Sequence, residues 1–366
     1  MKTNFFTPIL FLGIFFLLII HISGCSRSAG QTDSAQGSFI LGFSQIGAES
    51  AWRNRHTRSV QEAAEEAGIQ LLFFNAEQKQ ENQIRAIRSF IAYQVDVIAF
   101  VPIVSTGWEH VLEEARDAGI PVLVCDREIS IHDESLFAGF IGTNSLQEGR
   151  SAAEFLLEKF APRPEILPDD ENLLTESLTA EEIPPAVVFS QDRPVRIVEL
   201  SGTVGSSVAI NRAQGFREVI NEHNAGWIDG ITAPLFAIMH SASGDFLRSK
   251  GYEIASYFLD MFDEIDVLFS HNDGMTLGAI DAMKERGIQP GTDIVIVTID
   301  GEQAVIDALR RGEINGVVEC DPVQGPQIIR LAGYLARGGQ IPRMVYMQGN
   351  VFSSLDDHSA IRPRGY

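Results

Sequence analysis

The most constraining feature of this 366-residue chain is an alternation repeated along most of its length. Short apolar runs, each followed by an amphipathic stretch at helical period, dictate a parallel α/β architecture. The first series predicts strands over 39–43, 70–74, 95–101 and 121–125. Helices are expected between them over 52–67, 80–93 and 108–118. Ile84, Ile87 and Ile91 share one face of the second helix. Pro102 and Gly119 end their elements. A second series predicts helices over 147–160, 207–222, 246–262, 274–286, 303–311 and 324–337. Its strands fall at 195–200, 267–270, 294–299 and 316–319. The length suits two lobes better than one core. The stretch 227–240 is less regular.

The first residues set the compartment. Lys2 precedes an apolar run from Phe5 to Ile20, the form of an export signal. Ile22-Ser23-Gly24-Cys25 resembles the site at which a bacterial signal is cut and the cysteine acylated. Residues 1–24 are therefore expected to be a lipoprotein signal peptide and Cys25 the lipidated residue. Residues 25–37 lack large apolar groups and read as a flexible tether. The folded part is expected from Ser38.

Charge narrows the partners. The chain has 28 Lys and Arg against 49 Asp and Glu. Nucleic-acid binding needs clustered basic residues, so this balance argues against it. Past Cys25 the cysteines are Cys125 and Cys320. They either pair, as an exported protein permits, or stay free and buried. The segment 162–193 carries five prolines and eight acidic residues against two basic ones. It is expected to be an acidic surface insertion, with a short helix through Leu173, Leu174 and Leu178, or a docking surface for a partner.

In open α/β sheets, ligands bind at the carboxyl ends of strands. The polar residues just past those ends are Gln45, Glu49, Trp52 and Arg53, then Asp126 and Arg127. In the second series they are Asn272, Asp273, Asp300 and Glu319, with Arg212 on the helix after strand 195–200. Asp273 reads as a helix cap. Trp108 reads as packing, and His56, His110 and His271 as structural or surface residues. No His stands with a nucleophile, and no Cys/His cluster has metal spacing. Phosphate-loop and dinucleotide fingerprints are missing, and Gly202-Thr-Val-Gly205 lacks the lysine of the former. No catalytic group, cofactor or metal is expected. Carboxylates accept from sugar hydroxyls, guanidinium groups donate in a fixed fork, and aromatic faces cover C–H faces, so the set suits a sugar.

These residues lie in longer recognisable stretches: Gly42 to Arg53 (GFSQIGAESAWR), Gln78 to Ile84 (QKQENQI) and Thr106 to Glu109 (TGWE). Asp126-Arg127, Gly202 to Arg212 (GTVGSSVAINR), Ser243 to Gly251 (SGDFLRSKG), His271-Asn-Asp273, Asp300-Gly301 and Val317-Val-Glu319 follow. Through them the chain, from about Leu41 onward, resembles the type I periplasmic sugar-binding proteins of ABC transporters. It is most similar to members that take galactofuranose. The resemblance implies two doubly wound parallel-sheet lobes joined by a three-crossing hinge near Phe140-Ile141, Cys320 and Pro342. The first lobe would be 38–141 with 320–342, the second 142–319 with 343–366. Asp126 and Arg127 would hold ring hydroxyls from the first lobe, and Arg212, Asn272 and Asp300 from the second. Glu319 would sit at a crossing where many relatives have Gln. Trp52 and Arg53 occupy the place of a stacking aromatic and its neighbour, and Phe246 is a second stacker. The partners implied are a monosaccharide, an ABC permease and, through the lipid, a membrane, with the protein a monomer. Two other classes remain open. One is a sensor presenting its closed form to a receptor or kinase. The other is a furanoside hydrolase using Asp126, Asp300 or Glu319, against which the charge of Arg127 beside Asp126 argues. A repressor is excluded because a signal peptide stands in place of DNA-binding helices. The acidic insertion, the long 227–240 stretch and the lipid anchor depart from the usual pattern.

Overall fold

The computed structural model describes residues 38–161, 193–227, 234–358 and 361–366. The expected signal, tether, Cys25 anchor and nearly all of the acidic insertion lie outside these residues. Among the described residues no helix is long and apolar enough to cross a membrane.

The first lobe is built from β1 (Ile40–Gln45), α1 (Ala51–Glu66), β2 (Gln70–Asn75), α2 (Gln80–Tyr93), β3 (Val97–Phe100), α3 (Glu109–Asp117), β4 (Val122–Cys125) and β5 (Gly139–Thr143). The second follows with α4 (Ser145–Phe160), β6 (Val195–Ser201), α5 (Ser207–Ala225), β7 (Phe236–Ser243), α6 (Arg248–Met261), β8 (Val267–Ser270), α7 (Asp273–Glu285), β9 (Val295–Asp300), α8 (Gln303–Arg310) and β10 (Gly316–Glu319). The chain then returns to the first lobe with α9 (Gly325–Ala336) and β11 (Met344–Met347), and ends its strands in the second with β12 (Val351–Ser353).

The sheets run β11-β5-β4-β3-β1-β2 and β12-β10-β9-β8-β6-β7. The same order is built twice from different sequences. β1 lies between β2 and β3, and β6 between β7 and β8, with all four pairings parallel. Each lobe thus has a topological switch point, where the loops past the strand ends diverge and leave a crevice. β3, β4, β8 and β10 are buried along their whole length, which is why they read as continuous apolar runs.

Four strands are additional to the expectation. β7 (FAIMHSAS) is an edge strand, half polar, partly exposed and kinked by a register shift opposite Ile197/Val198. β11 and β12 are short, largely exposed edges. β5 (GFIGT) is buried, but its two glycines dilute the apolar signal. A Cβ at Gly142 would stand 2.5 Å from the Phe140 ring, so the position demands glycine. β11 also moves a boundary. It pairs with β5 in the first sheet, Met344 opposite Phe140, so the third crossing follows Met347 rather than Pro342. Residues 343–347 belong to the first lobe, and β12, antiparallel to β10, to the second.

Candidate functional site

The first-lobe wall is a chain of alternating charges. β1 delivers the chain to a loop in which Ser50 caps α1, its side chain accepting from Arg53 N at 3.1 Å. The cap aims the first turn of α1 inward. Past β4 the backbone turns sharply, with Asp126 in the left-handed region at φ 61°. Arg53 Nη2 donates to Asp126 Oδ2 at 2.6 Å, and Arg127 Nη2 to Glu49 Oε1 at 2.6 Å. Arg53 Nε stands 3.5 Å from Glu49, which links the four side chains in the order Asp126, Arg53, Glu49, Arg127. All four side chains are at most 5% exposed. Burial alone would raise the Asp126 carboxyl, but the charges of Arg53 and its neighbours hold it below the ordinary carboxylate range. Burial, with the like charges of Arg53 and Arg212, pulls the Arg127 guanidinium down. Arg53 Nε and Nη1 and Arg127 Nε are buried without a hydrogen-bond partner among the described residues.

The second-lobe wall comes from α5 and the ends of β8 and β9. Ser206 caps α5, and Arg212 follows one and a half turns later. Its Nε donates to Glu148 Oε2 at 2.8 Å and its Nη1 to the His271 carbonyl, while Nη2 lies 3.7 Å from Asp300 Oδ1. These carboxylates outweigh the desolvation that burial imposes and raise the guanidinium above its ordinary value. Asn272 caps α7 by accepting from Met275 N, and donates Nδ2 to the Phe246 carbonyl at 3.2 Å. Asp300 closes β9 at φ 133°, a conformation that a non-glycine residue holds at a cost and that concentrates at functional sites. Its carboxyl is pushed well up, first by burial and then by the nearby charges of Asp273, Glu148 and Glu302, against the pull of Arg212.

The walls meet. Ser105 N donates to Gly205 O at 2.8 Å, and Glu128 N to Ser207 Oγ at 2.7 Å, both from first lobe to second. Phe246, at φ 61°, lies on Gly202, where a Cβ would come 1.9 Å from its ring, and the Arg127 guanidinium sits 5.1 Å from the ring centre. A cavity lies between the two walls. It is lined by Glu49, Trp52, Arg53, Asp126, Arg127, Arg212, Phe246, Asn272 and Asp300. Nine residues expected from the sequence are thereby brought together.

Two expected residues are elsewhere. Gln45 turns toward α1: its Nε2 contacts His56 Nδ1 and Thr57 Oγ1, each at 3.1 Å, and its Oε1 accepts from Ile46 N. Glu319 points away from the cavity, accepting from Asn350 N and Nδ2 and pairing with Arg364. Side chains alternate along a strand, so the last residue of a strand need not face the crevice. Trp52 lines the cavity, yet its ring stacks on His56 at 5.3 Å, carries the Arg53 guanidinium 4.6 Å away and donates Nε1 to the Cys320 carbonyl. It braces the hinge as well as the site. Asp273 does not line the cavity, and the expected cap of α7 is not Asp273 but the preceding Asn272. The Asp273 carboxylate accepts from Gly301 N, Glu302 N and Thr298 Oγ1 and fixes the turn that carries Asp300. His271 is buried against Glu199. Cys125 and Cys320 are free and buried.

The sequence reading missed Ser50, Val208 and Cys320 on the cavity wall and Glu148 behind Arg212. Ser50, which precedes the apolar face of α1, had a recognisable cap signal. Glu148 lies in a helix and reaches the site only through the packing of α4 on α5.

Residues 41–340 match a family described as the periplasmic binding protein domain. The galactofuranose-binding protein YtfQ of Escherichia coli K12 is 37% identical over 316 residues, 85% of this chain and 87% of that protein. A crystal structure from Mycobacterium smegmatis in complex with β-D-fucofuranose is 39% identical, with a TM-score of 0.74, covering 87% of this chain and 92% of the other. The periplasmic binding protein of the arabinose ABC transporter from Shewanella sp. ANA-3, bound to α- and β-L-arabinofuranose, is 36% identical, with a TM-score of 0.72 and coverage of 86% and 92%.

Proposed function

The chain belongs to the periplasmic binding protein family, and from that premise we propose that it is the solute-binding component of a bacterial ABC sugar importer. It takes a monosaccharide, galactofuranose or a related aldose, between its lobes and closes on it by hinge motion. In this reading the protein is exported, held to a membrane by acylated Cys25, and hands its ligand as a monomer to a permease without chemical change.

One observation carries the proposal. Arg53 Nη1 and Arg127 Nε are buried donors with no hydrogen-bond partner among the described residues, and Arg53 Nε has only the Glu49 carboxylate at 3.5 Å. An unmet buried donor is costly. The chain of ion pairs holds these groups in place, so the missing partner is a ligand rich in oxygen. The carboxyl of Asp300, across the cavity, can accept a hydroxyl in return. A polyol meets both needs. The relatives that bind five-membered rings favour a furanose.

Closure is favoured by as much as the sugar prefers the closed form. A thermal-shift screen of the chain from Ser38 against monosaccharides tests this, because a ligand that binds only the folded state raises its melting temperature. A shift confined to aldoses with accessible furanose forms is expected. No shift with any sugar rejects the proposal.

Hydrolysis is the second reading. It is favoured by Asp126 and Asp300 being pushed in opposite directions, the signature of a base and an acid. Asp126, however, already accepts from Arg53. Incubation with a nitrophenyl galactofuranoside is expected to release no nitrophenol, and steady release would put hydrolysis first.

A further inference from the structure

Two glycines set the geometry behind Arg212. A Cβ at Gly149 would lie 2.1 Å from the Arg212 carbonyl oxygen, and one at Gly215 2.0 Å from that of Leu146. α4 and α5 therefore touch backbone to backbone, and Glu148, next to Gly149, is carried against the Arg212 side chain. Its Oε2 takes the Arg212 Nε hydrogen at 2.8 Å, with the two side chains 6% and 4% exposed. Glu148 stands in the first turn of α4, where the helix end favours a carboxylate. Its second oxygen, Oε1, is buried without a hydrogen-bond partner among the described residues.

The charges of the cavity explain the arrangement. In the first lobe Arg53 and Arg127 each bond a carboxylate directly. In the second, Asp300 stands beyond hydrogen-bond distance of Arg212 and leans toward its neutral form. Glu148 is thus the carboxylate that bonds the third guanidinium.

We propose that Glu148 is a positioning and specificity-determining residue of the sugar site. By binding Arg212 Nε it fixes the plane of the guanidinium. By cancelling its charge it makes the cleft select uncharged sugars over sugar acids. It acts through Arg212, without touching the ligand. This rests on the sugar-binding reading above.

The test is calorimetric titration of the full chain and two variants with D-galactose, L-arabinose and D-galacturonate. Wild type is expected to take a neutral sugar and reject the uronate. Glu148→Gln keeps the shape and removes the charge. It should weaken the neutral sugar about 10-fold and strengthen the uronate about 10-fold, because specificity is a difference of affinities that an unpaired charge can reverse. Glu148→Asp keeps the charge and shortens the reach. It should lose neutral-sugar affinity and still reject the uronate, so the two variants part on the uronate, whereas a merely structural role would move both alike. A glutamine variant that binds the neutral sugar with an unchanged preference overturns the proposal. If that variant does not fold, the aspartate variant decides, and its acceptance of the uronate overturns the charge role. Wild type binding none of the sugars would reject the sugar-binding reading itself, and this proposal with it.

Discussion

Glu128 donates its backbone N–H to the Ser207 hydroxyl 2.7 Å away, a bond that joins the two lobes. Parting the lobes would break it, so it adds to the preference for the closed form. Ser207→Ala removes the acceptor. A neutral hydrogen bond is worth about 1 kcal/mol, or about 5-fold in affinity. Stopped-flow measurement is expected to place that loss in the off-rate.

The Arg53–Asp126 pair should behave otherwise. Breaking a buried pair strands its partner at a cost of about 3–5 kcal/mol. Asp126→Asn leaves Arg53 facing Glu49 at 3.5 Å alone. Sugar binding should vanish, and the urea midpoint of unfolding should fall by a comparable energy. A variant that lost binding at full stability would make Asp126 a pure ligand contact.

Asp300 gives the pH dependence. Its folded-state carboxyl is raised by burial and by neighbouring carboxylates. The sign follows: its neutral form contributes stability at low pH, and that contribution is lost as pH rises through the raised value. Asp300→Asn should therefore melt above wild type at alkaline pH, with the gap closing as pH falls. The same substitution should abolish sugar binding. In wild type, hydroxyls donated to Asp300 favour its charged form, so affinity should rise with pH and binding should release protons, measurable as a buffer-dependent heat.

Glu199 works in the opposite sense. Burial would raise it, but His271 and Arg217 bring its carboxyl down to about 2. It contributes stability above the ordinary carboxylate range, lost as pH falls toward 2. Two to three pH units correspond to about 3 kcal/mol. Glu199→Gln should lose roughly that much at neutral pH and match wild type near pH 2, as thermal melts across pH would record.

Much of this was legible in the residues. Arg53, Asp126, Arg127, Asn272 and Asp300 follow strand ends, and a parallel sheet collects strand ends at one edge. Strands buried on both faces, such as β3 and β8, announce themselves by composition. β7 and β11 do not, because an edge strand is defined by its neighbour rather than by its own apolar run. Gln45 and Glu319 were misplaced because each stands at a strand end yet points out of the crevice. Glu148 was invisible because what brings it to Arg212 is a helix contact made possible by Gly149 and Gly215, a relation between segments that no local pattern carries.

The most direct test of the central claim is an isothermal titration of the chain with L-arabinose, D-fucose and D-galactose, repeated on Arg127→Ala. One-to-one binding of at least one of these sugars, lost in the variant while its fold is kept, is the predicted result. The absence of binding heat with all three, from a protein that circular dichroism shows to be folded, would contradict it.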